Sequence, residues 1–287
     1  MFRVALPRTI IFTVSLALAA CSTSGGGGGD ITGSIGHRDE PKADSAENVG
    51  SLSDVIQRNP NDPQAYNMRG SAFGKSGRSQ EAIADFSKAI SIDPRYAPPY
   101  ANRALVYRQT GRADLAIADY NKAIAADPKY AAAFLGRGIL YRDRKDARAA
   151  LADFNKAVAI SPDNPQAYYN RGLLYQAQGQ HQFAAADFRT AIGLSPRDAE
   201  PQISRALSLL ALNDNKGAVE HLDQAVGLDP DNIGAWTSRG LAYERLGDRE
   251  KSAGSYARAM QIDQSYKPAK EGFTRVGGQF GQTYQAF

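Results

Sequence analysis

Few side chains of this 287-residue chain have types and spacings that could support chemistry. There is one thiol, Cys21, and there are three imidazoles, on His37, His181 and His221. A single cysteine excludes an intrachain disulfide. None of the histidines stands with a cysteine or a carboxylate at the spacing that zinc sites use, so the sequence predicts no metal site. Cys21 is therefore the first residue to explain.

Patterns typical of catalytic sites are also missing from the sequence. It contains no nucleophile elbow, and the run Gly25–Gly29 follows no predicted strand and precedes no predicted helix, as a phosphate-binding loop would require. The chain has 34 basic and 30 acidic residues, a near balance that gives no reason to expect a nucleic-acid ligand. We therefore predict no enzyme activity and no cofactor.

The residues before Cys21 indicate a signal for secretion. Arg3 and Arg8 lie in a stretch without acidic residues, and a nearly pure apolar segment then extends from Ile10 to Ala20. That segment is shorter than the roughly 20 residues that a helix needs to cross a bilayer. A basic start, a short apolar segment and small residues at its end are typical of a secretory signal peptide, which we assign to residues 1–20.

The sequence of residues 18–21, LAAC, resembles the bacterial lipobox. The resemblance implies that Cys21 is lipidated on its sulfur, becomes the new N-terminus and carries several acyl chains such as palmitate. Because each buried acyl CH₂ contributes about 0.8 kcal/mol, several chains tether a protein permanently. Ser22 stands where Asp would signal retention, which implies sorting to the outer membrane with the folded part facing the periplasm. The alternative is an ordinary cleaved signal peptide beside an incidental cysteine.

The glycines after Cys21 predict a flexible spacer. Gly25–Gly29 and the polar residues that follow lack the apolar side chains needed to pack a core, so we expect residues 21–43 to form a linker. A coil of this length has a mean reach of roughly 30 Å, enough to hold a folded domain off a membrane surface. The alternative is a disordered N-terminal segment without a role.

A 34-residue period dominates the rest of the chain. Proline recurs without a gap at positions 94, 128, 162, 196 and 230. Bulky residues recur with the same spacing, in the column Phe73, Tyr107, Tyr141, Tyr175, Leu209 and Tyr243. So do small residues, in the column Gly70, Ala104, Gly138, Gly172, Ala206 and Gly240. Within one unit these residues fall at helical spacing, so they mark a buried stripe on a helix.

This pattern closely resembles the tetratricopeptide repeat, in which each 34-residue unit folds into two antiparallel helices. The resemblance covers residues 63–266 as six units and implies an all-α solenoid, stabilised by the stacking of neighbouring units. Residues 44–62 match the end of a further unit, so we expect a half-repeat capping helix there, and residues 267–287 are expected to form a C-terminal capping helix and tail. A frayed tail is favoured over a docking segment. Its aromatic residues, which we expect to be exposed, are Phe280, Tyr284 and Phe287.

A polar column accompanies the apolar ones. Every unit carries an arginine at the same position, in the series Arg69, Arg103, Arg137, Arg171, Arg205 and Arg239. The first four units also carry an aspartate on the second helix, in the series Asp85, Asp119, Asp153 and Asp187. The column is either a ladder of anion-binding arginines or a set of structural Arg–Asp pairs. Because the partners recur in step, the sequence favours the structural pairs.

Proteins with this repeat usually bind partners on the concave face, which is lined by the first helix of each unit. The matching positions here combine an apolar floor with a basic rim, suited to an apolar helix or an extended peptide of a protein partner. The predicted partner-binding residues are Asn67, Leu105, Arg108, Leu135, Ile139, Arg142, Tyr169, Leu173, Ile203 and Leu207. The Lys/Asn pattern that clamps a C-terminal carboxylate in chaperone-binding members is absent. The alternative is that the leucine-rich row is buried between units.

The combination of lipobox, linker and helical repeats resembles the NlpI-type outer-membrane lipoproteins. Those bring a periplasmic protease together with cell-wall hydrolases, so the resemblance implies an adaptor in envelope or peptidoglycan maintenance. A pilus or secretin assembly lipoprotein of TadD or PilF type is the alternative. A homodimer also stays open, because the fifth unit, residues 199–232, has Gln202, Leu209 and Leu222 in place of aromatic residues. Looser packing or a bend would explain those replacements as well.

Overall fold

The computed structural model describes residues 42–279, 281 and 284, with side chains from residue 48 onward. The described residues form fourteen α-helices and no strand, which confirms the all-helical prediction. The helices are α1 Lys42–Arg58, α2 Pro63–Lys75, α3 Ser79–Ile92, α4 Ala97–Gln109, α5 Ala113–Ala126, α6 Ala131–Asp143, α7 Ala147–Ile160, α8 Pro165–Ala177, α9 His181–Leu194, α10 Ala199–Ala211, α11 Asn215–Leu228, α12 Ile233–Leu246, α13 Arg249–Ile262 and α14 Lys267–Arg275. The predicted signal peptide, Cys21 and the predicted linker up to residue 41 lie outside the described residues.

Helices α2 to α13 form six consecutive pairs, one pair for each 34-residue unit. We call α2, α4, α6, α8, α10 and α12 the first helices, and α3, α5, α7, α9, α11 and α13 the second helices. Each pair packs together and then packs against the next pair, and α1 and α14 pack on the two ends of the stack. The chain is therefore a tetratricopeptide-type solenoid in which every unit contacts its immediate neighbours.

Local sequence fixes where the first helices begin. The Oδ1 atom of Asp62 accepts hydrogen bonds from the backbone N–H groups of Gln64, at 2.9 Å, and Ala65, at 3.3 Å. Pro63 occupies the first turn, where its missing N–H has no hydrogen bond to lose. Asn164 caps α8 in the same way, since its side chain accepts from the N–H of Gln166, and Pro165 is the first residue of the helix. These caps satisfy N–H groups that a helix start leaves without partners.

The turns between the two helices of a unit need a residue in the left-handed region. Glycine fills this position in four units, at Gly77, Gly111, Gly179 and Gly247. In the third and fifth units Lys145 and Asn213 adopt the same conformation, with φ of 62° and 63°. The turn itself is unchanged, because the N–H of Asp146 still donates to the carbonyl of Tyr141 at 2.9 Å. A non-glycine residue in this region costs roughly 1–2 kcal/mol.

The small-residue column allows the two helices of a unit to approach closely. A Cβ atom added to Gly70 would lie 2.8 Å from a ring carbon of Phe86, and one added to Gly138 would lie 2.7 Å from Phe154. Both rings are completely buried. A buried ring in a packed interior has little room to move. Gly70 and Gly138 therefore cannot be replaced by a residue with a bulky side chain unless the ring shifts.

The arginine column joins three helices at each step of the stack. In the third unit, Nε and Nη2 of Arg137 donate to the two carboxylate oxygens of Asp153, both at 2.8 Å, while Nη1 donates to Oδ1 of Asn121 on the preceding second helix at 2.5 Å. The same carboxylate pairing occurs in the other early units, as Arg69–Asp85, Arg103–Asp119 and Arg171–Asp187. Bidentate pairs of this kind fix orientation as well as distance, so in the first four units the column is structural.

The ends and the fifth unit differ from the expectations in detail. Tyr284 is half-buried, not exposed, because its ring packs edge-to-face on Phe273 with 5.5 Å between centroids. Phe280 and Phe287 lie outside the described residues. In the fifth unit Leu222 and Gln202, which replace aromatic residues, are both buried.

We predict that Lys145→Gly stabilises the fold by about 0.5–1 kcal/mol. The substitution removes the steric cost of the left-handed conformation, and the greater freedom of glycine in the unfolded chain offsets part of that gain. Gly111→Lys, at the equivalent turn, is the matched reverse change and should destabilise by about 1 kcal/mol or more. Urea denaturation followed by circular dichroism measures both. A lower stability for Lys145→Gly would contradict the argument.

Candidate protein-binding groove

The first helices form the inner layer of the solenoid. Consecutive first helices contact one another along the whole series from α2 to α12, whereas in the described part of the chain no second helix contacts the next second helix. Rows of helices that are closer together on one side curve toward that side. The first helices therefore line a concave face, where the predicted partner-binding residues were placed.

Three predicted binding residues contribute little surface to this face. Asn67, Leu135 and Ile203 are 8%, 4% and 8% exposed, because they lie where neighbouring first helices meet. Tyr169, from the same row, stays half-buried, and its ring lies 5.9 Å from that of Phe188. Burial raises the pKa of Tyr169, and its hydroxyl is hydrogen-bonded to Ser204. Of this row, Tyr169 is the member that a ligand can reach.

The leucine-rich row provides the accessible apolar surface of the groove. Leu105, Ile139 and Leu173 are partly exposed, and Leu207 is exposed. They stand one unit apart on α4, α6, α8 and α10. The row is therefore not buried between units, and it presents one accessible apolar side chain on each of four consecutive first helices.

The two arginines of the predicted rim have different surroundings. Arg142 is held by its neighbours, since Nη1 donates to Oδ1 of Asn170 at 2.7 Å and Nη2 donates to Asp143 at 3.1 Å. Arg108 is half-buried, and its side chain makes no hydrogen bond or ion pair with any residue that the structure describes. Arg108 is thus the rim cation that is available to a ligand.

Polar contacts between consecutive first helices were missed by the sequence analysis. Nδ2 of Asn102 donates to Oδ1 of Asn67 at 2.9 Å, joining α4 to α2. Nε2 of Gln176 donates to Oγ of Ser208 at 2.9 Å, joining α8 to α10. Nη1 of Arg245 donates to the carbonyl of Leu210 at 2.7 Å, joining α12 to α10. A column that holds Asn102, Asn170, Ser204 and Ser238 signalled the first of these contacts, whereas Gln176, Ser208 and Arg245 stand in other columns.

Family models for this repeat match most of the helical region. The model described as TPR repeat matches residues 104–144, 138–179 and 206–247. Two described as tetratricopeptide repeat match residues 63–96 and 165–198, and 233–266. The chain belongs to the tetratricopeptide repeat family. Members of this family are generally scaffolds for protein–protein interaction without enzyme activity.

Solved structures with this fold include three that bear on the tetratricopeptide repeat domain. The APC/C heterotetramer Cut9–Hcn1 matches with a TM-score of 0.65 and 17% identity, over 81% of this chain but only 46% of that one. PilF of Pseudomonas aeruginosa matches with a TM-score of 0.67 and 20% identity, over 74% of this chain and 97% of that one. YrrB, described as a TPR protein with an unusual peptide-binding site, matches with a TM-score of 0.58 and 25% identity, over 65% and 96%. No curated protein matched the sequence.

The described residues contain neither a metal-binding cluster nor a membrane-spanning helix. No cluster of histidine, cysteine and acidic residues in that part of the chain could hold a metal ion. None of the helices described is long and apolar enough to cross a membrane.

The fifth tetratricopeptide repeat breaks the arginine column. The residue 16 positions after Arg205 is His221 instead of an aspartate. Nδ1 of His221 lies 2.7 Å from Oε1 of Gln202, and that carbonyl oxygen accepts its hydrogen bond. Burial and the positive charge of Arg205 lower the pKa of His221 from 6.5 to about 4, against the opposing effect of Asp214. His221 is therefore neutral at pH 7.

We predict that His221 makes the stability of the wild-type fold fall as the pH drops from about 6.5 to about 4. A depressed pKa means that the unfolded chain takes up the proton first, so the contribution of His221 is complete above pH 6.5 and is lost below it. His221→Gln cannot titrate and should lose less stability over this interval. Urea denaturation at pH 7, 5.5 and 4 measures the difference. Parallel stability curves for the two proteins would contradict the prediction.

Proposed function

We infer that this protein is a membrane-anchored periplasmic adaptor that binds segments of other proteins in its concave groove. The observation that carries the proposal is the apolar strip of Leu105, Ile139, Leu173 and Leu207, which stays accessible on the inner layer. The family supplies the coarser role, since these repeats serve protein–protein interaction. The clients we propose are a periplasmic protease and peptidoglycan hydrolases, which gives a role in envelope or cell-wall maintenance.

The apolar strip and Arg108 beside it define the kind of ligand. An apolar row one residue wide suits the apolar face of a helix or alternate side chains of an extended peptide. Arg108 flanks the strip on α4 without an ion pair among the described residues, so it favours an acidic residue near one end of the bound segment. Peptide binding is also the property printed for YrrB, with which this chain shares 25% identity.

A second candidate is an assembly factor that docks one subunit of a pilus or secretin machine. The chain matches PilF over 97% of that protein, which favours this role. At 20% identity, however, the likeness is one of fold, so we rank it second. The two candidates predict different ligands for the same groove, namely a protease or hydrolases in one case and a structural subunit in the other.

We predict that Ile139→Glu and Leu173→Glu each abolish the capture of protein partners. A carboxylate in the middle of the strip must be desolvated when an apolar segment covers it. Leu115→Glu is the matched control, because Leu115 is 48% exposed on the outer helix α5. A pull-down from solubilised envelope identifies the partners, and circular dichroism verifies the helices. If the wild type and both groove variants recovered the same partners in equal amounts, the proposal that the groove binds them would be refuted.

The anchor follows from Cys21, which resembles a lipobox cysteine. We predict that Cys21→Ala loses the acyl mass and moves from the membrane fraction to the soluble periplasmic fraction, because the chains that hold the protein have no attachment point. Mass spectrometry of the mature N-terminus and membrane fractionation measure both effects. Ser22→Ala, a substitution at the neighbouring residue, is the control and should keep the acyl mass on Cys21. A Cys21→Ala protein that fractionates like the wild type would refute the anchor.

A further inference from the structure

One arginine of the repeat column has lost every partner that its equivalents have. In each of the first four units the arginine is bound by the carboxylate 16 residues later, as Arg171 is by Asp187 at 2.8 Å. In the sixth unit Arg239 takes its carboxylate from Asp223, 16 residues earlier. Arg205 has His221 at the first of these positions and Arg189 at the second. Neither residue can supply a carboxylate.

The aromatic rings that contact the other arginines of the column are missing around Arg205. In the other five units the guanidinium carbon lies within 6 Å of a ring centroid, in the pairs Arg69–Tyr66, Arg103–Tyr107, Arg137–Phe134, Arg171–Tyr168 and Arg239–Trp236. The corresponding residues around Arg205 are Gln202 and Leu209. Nε of Arg205 is buried and has no hydrogen-bond partner within the described part of the chain.

The surroundings of Arg205 are basic. Burial and then the charge of Arg189 lower the pKa of Arg205, against the opposing effect of the Asp214 carboxylate. Asp214 is already engaged, because its Oδ1 accepts the backbone N–H of Gly217 at 3.0 Å as the cap of α11. Arg205 and His221 are half-buried and Arg189 is exposed, so part of the cluster faces solvent although Nε of Arg205 is covered.

We propose that Arg205, with Arg189 beside it, binds a carboxylate from an acidic segment of a partner protein. The incoming carboxylate accepts charge-assisted N–H···O hydrogen bonds from the guanidinium of Arg205, as the carboxylate of Asp187 does from Arg171. The chain itself thus shows, four times, which group this arginine position accepts. Arg205 lies on the first helix α10, whereas Arg189 and His221 lie on the second helices α9 and α11, so the site is formed by both layers and shares no residue with the groove strip on the first helices.

The helices around this site favour a protein over a small acid as the source of the carboxylate. Of the nine large apolar residues that are exposed in the described chain, four lie on α9, on α11 or at the end of α10, in addition to Leu207 of the groove strip. They are Phe183, Leu194, Leu212 and Leu228. Exposed apolar side chains grouped in one region are typical of a protein contact surface, whereas a free carboxylate needs none of them.

The test uses the full-length protein and N-acetyl-tetraglutamate as the probe. Arg205→Gln should weaken binding roughly tenfold, the loss expected for one charge-assisted hydrogen-bonded pair. His221→Asp supplies the aspartate of the first four units, so it should raise the thermal midpoint and weaken binding by a similar factor. Lys216→Gln removes the same positive charge from an exposed position on α11 and should bind as the wild type does. Leu173→Glu, in the groove, should also bind normally. Calorimetry and thermal denaturation at constant ionic strength measure these effects.

Each other outcome overturns the proposal. Equal binding by wild type and Arg205→Gln would show that the probe binds elsewhere. A His221→Asp protein with an unchanged midpoint and unchanged binding would show that no carboxylate fits beside Arg205. If acetate stabilises the wild type as well as the peptide at equal carboxylate concentration, the site holds a small ion and the partner is refuted. The groove and the Arg205 site are tested separately. If Ile139→Glu and Leu173→Glu still captured their partners, the groove would be refuted, and the measurements on Arg205 would keep their meaning.

Discussion

The structure depends on one constraint, which is that a single pair of helices cannot bury its own apolar stripe. Each unit offers a bulky ring opposite a glycine or alanine, as Phe86 does opposite Gly70, and this lets its two helices meet at close range. The outer surface of the pair is then covered only by the next pair. The fold therefore grows by repetition, and its ends need caps. The caps here are α1, which buries Leu52 and Ile56, and α14, which buries Phe273.

Polar contacts give the stack its register. Apolar packing is not directional, so it leaves the rotation between units weakly defined. The Arg–Asp pairs are directional and join the two helices of one unit, as Arg137 and Asp153 do. The third hydrogen bond of that arginine, to Asn121, and the amide and hydroxyl contacts of the inner layer connect consecutive units. The inner contacts also explain why part of the predicted groove is closed. Asn67 is used to hold α4 against α2, so it is not available to a ligand.

Function in such a chain arises where repetition is incomplete. Residues that repeat in every unit serve the stack, and some of those that vary are accessible or change the local charge. The leucine-rich row remains accessible because the inner layer has a surface that no neighbour covers. The fifth unit keeps the arginine of the column, but the two positions that supply a counter-charge in other units hold Arg189, in the fourth unit, and His221. A protein that belongs to a family of scaffolds thus has two chemically different surfaces, one apolar and one basic.

Sequence alone determined the fold class, the unit length and the helix pairs, because a 34-residue period and helical spacing within each unit are properties of the order of residues. It also indicated the Arg–Asp pairs, since both partners recur in step. The tertiary structure decided which groove residues are accessible. Leu135 and Leu173 occupy neighbouring rows and look alike in sequence, yet the first is buried between helices and the second is partly exposed. The left-handed turns at Lys145 and Asn213 and the orphan Nε of Arg205 were likewise visible only in three dimensions. The physical reason is that exposure and pairing depend on the distance between helices, which residue spacing along the chain does not define.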